Sequence, residues 1–131
     1  MSVPAASPRD LSGVEKQIIS TLIRGVPESA LLMEQVTRAH VTERGGDGWV
    51  LEFHIDGYSR PKRTSLKVSA EGVFQAIDGT IKAAILLFLD ENNKIRELEI
   101  SGYSVDSEKP YPPLEQLRVL EPYTGDKGPV K

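Results

Sequence analysis

Apolar and polar positions divide the chain first into helical and then into extended segments. Val14, Ile18, Ile19, Leu22 and Ile23 recur at helical spacing and form one apolar stripe. Ser12-x-x-Glu15 has the form of a capping box, in which the serine oxygen accepts from a free backbone N–H and the glutamate reaches back. Gly25 offers a left-handed stop and Pro27 forbids continuation. Together these predict a helix over about Leu11–Arg24. Ser29 can cap a second, shorter helix over Ala30–Thr37. Its apolar residues Leu31, Leu32, Met33 and Val36 make a wide face, suited to a wedge between the first helix and a sheet.

Beyond Thr37 the period changes from helical to alternating. Ala39 and Val41 alternate with polar partners, and Trp49, Leu51, Phe53 and Ile55 follow at strict period two. The glycine-rich stretch between them predicts a hairpin of Arg38–Glu43 with Trp49–Ile55. Leu66 and Val68 place a third strand at about Thr64–Ala70, after which Glu71-Gly72 turns the chain. Val73–Ile77 fits either a short strand or an irregular connection. The unbroken apolar run Ala83–Leu89 reads as a strand buried on both faces. Asp90–Lys94 is a turn by composition, and Ile95–Tyr103 is the return strand. There Leu98 and Ile100 share one face, while Glu97 and Glu99 share the other with Ile95 and Ser101. Pro113 suits the first position of a short helix at Leu114–Leu117.

The expected fold is therefore α+β, with two N-terminal helices on one face of a mainly antiparallel sheet of about five strands and a short C-terminal helical turn. The connections are too short for parallel crossovers. Residues 1–8 read as a disordered leader, 9–120 as one domain and 121–131 as a flexible tail. Length agrees: 131 residues suffice for one domain with a modest core. No apolar run approaches the roughly 18 to 20 residues needed to span a bilayer. The start of the chain lacks the basic and apolar regions of a secretory signal. With no cysteine there can be no disulfide or thiolate metal site, which fits a cytoplasmic protein. A net charge of −3 gives no support to bulk nucleic-acid binding.

Candidate chemistry is sparse. His54 stands on the polar face of a strand with Glu52 and Asp56 two positions either side, an arrangement that can orient an imidazole. No nucleophile motif accompanies it. Tyr58, Arg60, Lys62, Arg63 and Lys67 form the one basic cluster, able to dock an acidic protein or, less readily, nucleic acid. Glu97 and Glu99 lie about 7 Å apart along a strand and favour a protein or cation contact over hydrolysis. Two histidines and no zinc-ligand spacing argue against a metal, and no phosphate loop is present, so no cofactor and no catalytic residue is assigned.

The segments SGVEKQIISTLIRG, SALLMEQVTRAHV, AILLFLDENNKIRELEISGYS and YPPLEQL together resemble a family of small uncharacterised bacterial proteins, a domain of unknown function. That family has a leucine-rich strand, an acidic turn, a Leu-Glu-aliphatic return strand and a Pro-x-Leu closing segment. The resemblance implies a compact bacterial domain and supplies no catalytic residues. Domains of this size and style also look like immunity proteins of toxin systems, by analogy. The expectation is a non-enzymatic protein-interaction module that binds a protein partner or forms a homodimer, without a membrane. Its candidate contacts are Glu97, Glu99, His54, Tyr58, Arg60 and Arg63. The alternative is a small-ligand binder or enzyme with a cleft near His54, Glu52 and Tyr58.

Overall fold

The structure, a computed structural model, describes residues 8–44, 48–59, 61–62, 65–102 and 111–120. The expected leader and tail fall on residues outside these, apart from Pro8.

The capping box forms as written. Ser12 Oγ accepts from the Glu15 N–H at 3.1 Å, and Glu15 Oε1 accepts from the Ser12 N–H at 2.8 Å. Helix α1 then runs Gly13–Leu22 and buries Glu15, Ile18, Ile19 and Leu22. Val14 leaves the stripe and stands 46% exposed. Gly25 does not adopt the left-handed conformation; the helix ends on Ile23, whose N–H donates to the Ile19 carbonyl, while the Arg24 N–H donates to that of Thr21. Helix α2 is Ser29–Thr37, with Glu28 rather than Ser29 at its N-cap and no side chain capping it. Leu32 and Val36 point into the core, whereas Leu31 faces outward.

Among the described residues the sheet has seven strands and is antiparallel throughout, which corrects the expected five or so. They are β1 (Arg9–Asp10), β2 (Ala39–Arg44), β3 (Gly48–Ile55), β4 (Lys67–Gln75), β5 (Ile81–Leu89), β6 (Ile95–Ser101) and β7 (Leu117–Val119), in the order β1-β2-β3-β6-β5-β4-β7. The two extra strands are the edges. β1 has two residues and β7 three, too few to show a period in sequence. β7 follows a single 3-10 turn at Leu114–Gln116, which replaces the expected short helix.

Two further corrections concern register. Glu71-Gly72 does not turn the chain; β4 continues straight through it, paired with β5 from Lys67 to Gln75. Gly72 is needed there because β7 and α1 come close. A Cβ on it would lie 3.0 Å from the Arg118 carbonyl oxygen and 3.1 Å from both Leu117 Cδ1 and Leu22 Cδ2. In β6, Phe88 pairs with Glu97 and Leu89 with Ile95, so Arg96 is the extra residue of a bulge. The bulge resets the alternation, and Ile95 goes into the core instead of sharing the face of Glu97.

Both helices cover one face of the sheet, α1 over β4, β7 and the 3-10 turn, α2 over β2 and β6. The core between them is built on Leu51, Phe53, Phe74, Ile85, Leu87, Leu98 and Ile100, with Ile18, Ile19, Leu22 and Leu32 from the helices. Burying such side chains contributes roughly 1.5–3 kcal/mol each. The run Ala83–Leu89 is fully buried on this face only: Ala83, Ile85, Leu87 and Leu89 are inside, while Ala84, Leu86 and Phe88 are half-buried on the other.

Candidate functional site

Among the described residues no helix covers the second face of the sheet, and cross-strand pairing lays its side chains out in rows. One row reads Thr42, Glu52, Glu97, Phe88 and Val68 across β2, β3, β6, β5 and β4. The next reads Arg44, Val50, Glu99, Leu86 and Glu71. A third sets Ser101 against Ala84 and Val73. The centre of the face is thus apolar, with Leu86, Phe88, Ala84, Val73 and Val50, and a carboxylate cluster of Glu52, Glu97 and Glu99 borders it.

Glu52 and Glu97 stand directly opposite each other across β3 and β6. Like charges in that position repel. Arg44 reaches toward both, at 3.9 Å from Glu52 and 3.8 Å from Glu97, and is itself half-exposed, so it offsets little of the repulsion. The Glu97 side chain is only 15% exposed. Burial pushes its carboxyl above the usual range; Arg44 opposes the shift, and Glu52 adds to it.

His54 lies on the same face, paired with His40 across the strand, and its Nε2 is 3.1 Å from Thr42 Oγ1. His40, in β2, has Asp10 3.3 Å from Nε2 and Asp56 3.5 Å from Nδ1. The structure therefore brings Glu97, Glu99, Glu52 and His54 to one surface. It places Tyr58 elsewhere. Its hydroxyl donates to Asp90 Oδ2 at 2.6 Å and accepts from Asn92 Nδ2 at 2.9 Å, and Lys94 Nζ lies 5.8 Å from its ring. Burial and the bond to Asp90 raise the phenol above its ordinary value. Asp90 is buried and also accepts from the Asn92 and Lys94 backbone N–H groups, so this cluster is the clasp of the β5–β6 turn. Arg60 and Arg63 fall outside the described residues. Lys67 opens β4, away from the rows above.

Among the hollows of the described surface, one lies between α2, β4 and the β5–β6 turn and another against α1 at Met33 and Leu114. Neither is lined by Glu52, His54 or Tyr58, so the expected cleft has no counterpart in them. Among the described residues, no three His, Asp or Glu side chains gather into a metal cage. No helix among them is long and apolar enough to cross a membrane.

A second polar cluster escaped the sequence reading. Glu15, almost wholly buried, accepts from Arg9 at 2.9 and 2.7 Å and from the Tyr111 hydroxyl at 2.6 Å. Trp49 Nε1 donates to the same hydroxyl at 3.1 Å, and Arg9 Nε also bonds Glu43 at 2.6 Å. Burial alone would raise the Glu15 pKa. Its bonds to Arg9, Tyr111 and Ser12 outweigh that and hold it below the usual carboxylate range. Every member is satisfied internally, which makes the cluster a structural staple. The capping box marked Glu15, but the contacts with Arg9 and Tyr111 are non-local and leave no local pattern.

No protein-family model matches the chain, and neither does any curated protein or solved structure compared with it.

Proposed function

We propose that the chain is a non-enzymatic docking module whose protein partner sits on the open face of the sheet. The observation that carries this reading is the opposed pair Glu52–Glu97 beside Leu86 and Phe88. Two carboxylates held face to face, one of them raised by burial, disfavour the free protein. A cationic side chain from a partner, set between them with its apolar neighbours on Leu86 and Phe88, relieves that cost. The partner therefore presents Lys or Arg within an apolar patch. The immunity-like role in a bacterial cytoplasm that the resemblance implies is compatible with such a partner and belongs to the same proposal.

The test exploits the conflict. Glu97→Gln removes the repulsion and should leave the free fold as stable or more stable, by up to about 1 kcal/mol. The same substitution should abolish co-purification of the partner from the native host, as should Leu86→Lys. A partner that stays bound to both variants would show that it docks elsewhere. Binding of the wild-type chain should also strengthen as pH rises through the titration of Glu97, because the ionised carboxylate is the form that attracts the cation.

A further inference from the structure

We propose that the occupant of the open sheet face is an amphipathic helix of the partner, laid along β5 with its apolar stripe on Leu86 and Phe88 and with Lys or Arg on both flanks of that stripe. The inference rests on the docking role proposed above and adds the form and the charge pattern of what docks.

The main chain decides the form. β5 and β6, which carry the apolar strip and its acidic border, are hydrogen-bonded on both sides, β6 to β3 and β5, and β5 to β6 and β4. The strip therefore offers side chains and no free backbone groups. An extended segment laid over it would cover its own N–H and C=O groups without pairing them, which is costly. A helix satisfies its backbone internally. The opposite face of the same sheet is covered in this way, by α1 and α2.

Strand spacing sets the width. Glu99 on β6, Leu86 on β5 and Glu71 on β4 stand in one row. Neighbouring strands lie about 4.8 Å apart, so the two carboxylates flank Leu86 about 10 Å from each other. One helix with its side chains is about as wide, roughly 10–12 Å. Along β5, Ala84, Leu86 and Phe88 follow one another at steps of about 7 Å. A strip of that length underlies about nine helical residues.

Charge sets the pattern. The side chains of Glu71 and Glu99 make no hydrogen bond or ion pair with any described residue. The nearby cations are turned to other groups. Arg44 reaches toward Glu52 and Glu97, Arg96 donates to the Pro61 carbonyl at 3.1 Å, and Arg118 donates to the Glu115 and Leu117 carbonyls at 3.0 and 3.3 Å. Lys82, at the end of the β4–β5 hairpin, lies in the field of Asp78. Lys and Arg lay their stems along apolar surface and carry the charge outward. From a helix seated over Leu86 they reach Glu97 and Glu99 on one flank and Glu71 on the other. The same carboxylates disfavour a second copy of this face, an anionic lipid surface or nucleic acid.

The test is titration of the full chain with the fluorescein-labelled, end-blocked peptide Ser-Ala-Leu-Lys-Ala-Lys-Leu-Ala-Ala-Leu-Lys-Ala-Lys-Leu-Ala-Gln, read by anisotropy and by amide NMR. As a helix it carries one leucine stripe with lysines on both sides. The expected result is saturable binding with shifts at the Ala84–Phe88 and Glu97–Glu99 amides. Affinity should fall roughly tenfold or more with Leu86→Lys, and roughly fivefold or more with Glu71→Lys and with Glu99→Lys. A probe with proline at its central alanine, and an isomer with its lysines moved opposite the leucines, should each bind roughly tenfold more weakly. Absence of binding overturns the proposal, as does equal capture of either control probe. Loss of the native partner on Glu97→Gln, with probe binding that ignores Glu71→Lys and Glu99→Lys, overturns the flanked helix and leaves the docking face standing. A native partner retained by both Glu97→Gln and Leu86→Lys removes the docking face and the helix with it. Self-association that Leu86→Lys abolishes would assign the strip to a second copy and overturn the proposal too.

Discussion

Among individual residues, Glu15 has the most tightly determined environment. It joins β1 through Arg9, α1 through its own cap, and the C-terminal segment through Tyr111. Tyr111→Phe leaves the buried carboxylate short of one donor and Trp49 Nε1 without its acceptor, and should cost about 1–3 kcal/mol in urea unfolding. The pH dependence has two limbs. Glu15 is held below its ordinary 4.5 in the folded state, so its contribution is complete above that value and is lost as pH falls through the lower folded one. For the Tyr111 phenol, burial and then the bond to Glu15 push the folded value far above the ordinary 10.0, so its contribution is complete below pH 10 and is lost as pH rises through the folded value. Thermal melts across pH should show a plateau between these limits. In Tyr111→Phe the alkaline decline should flatten; an unchanged alkaline limb would mean that the phenol does not set it.

At the scale of elements, legibility followed length and locality. The two helices, the β2–β3 hairpin and the β5–β6 hairpin were readable because their apolar patterns and turn residues lie close together in sequence. β4 was not, because Gly72 looks like a turn when the only visible fact is its identity. What fixes it is distant in sequence: the Arg118 carbonyl and the Leu117 and Leu22 side chains leave no room for a Cβ. Gly72→Ala should therefore destabilise the fold by about 1–3 kcal/mol and speed amide exchange in β7. Gly13→Ala and Gly25→Ala meet nothing within 4 Å and should be far milder. If all three behave alike, the close packing of β7 on β4 is not what requires a glycine. The face of Ile95 was misread for a related reason. Bulges are set by pairing with another strand, and Arg96 carries no mark of its own.

At the scale of the whole molecule, what sequence could not supply was the order of strands, and the candidate surface depends on it. Glu97 and Glu99 were visible as a same-face pair on one strand. Their meaning changed once β6 proved to lie between β3 and β5, which sets Glu52 on one side and Phe88 with Leu86 on the other. Tyr58, by contrast, is near Glu52 and His54 in sequence and parts from them in space, because Gly57 at φ 80° turns the chain toward the β5–β6 clasp.

The placement of β6 also divides the sheet by ancestry of chain. Everything on one side of the β3–β6 boundary comes from residues before 56, and everything on the other side comes from residues after 66. Five residue pairs, Gly48–Ser101 through Glu52–Glu97, close the sheet, and the helices of the first half then lie across β4, β6 and β7 of the second. Most of the apolar face of the second half is covered by the helices of the first. Cutting the single covalent link between β3 and β4 should therefore yield two polypeptides that reassemble when co-expressed, and tagged fragments should co-purify. Reassembly would make the cut chain usable as a split reporter.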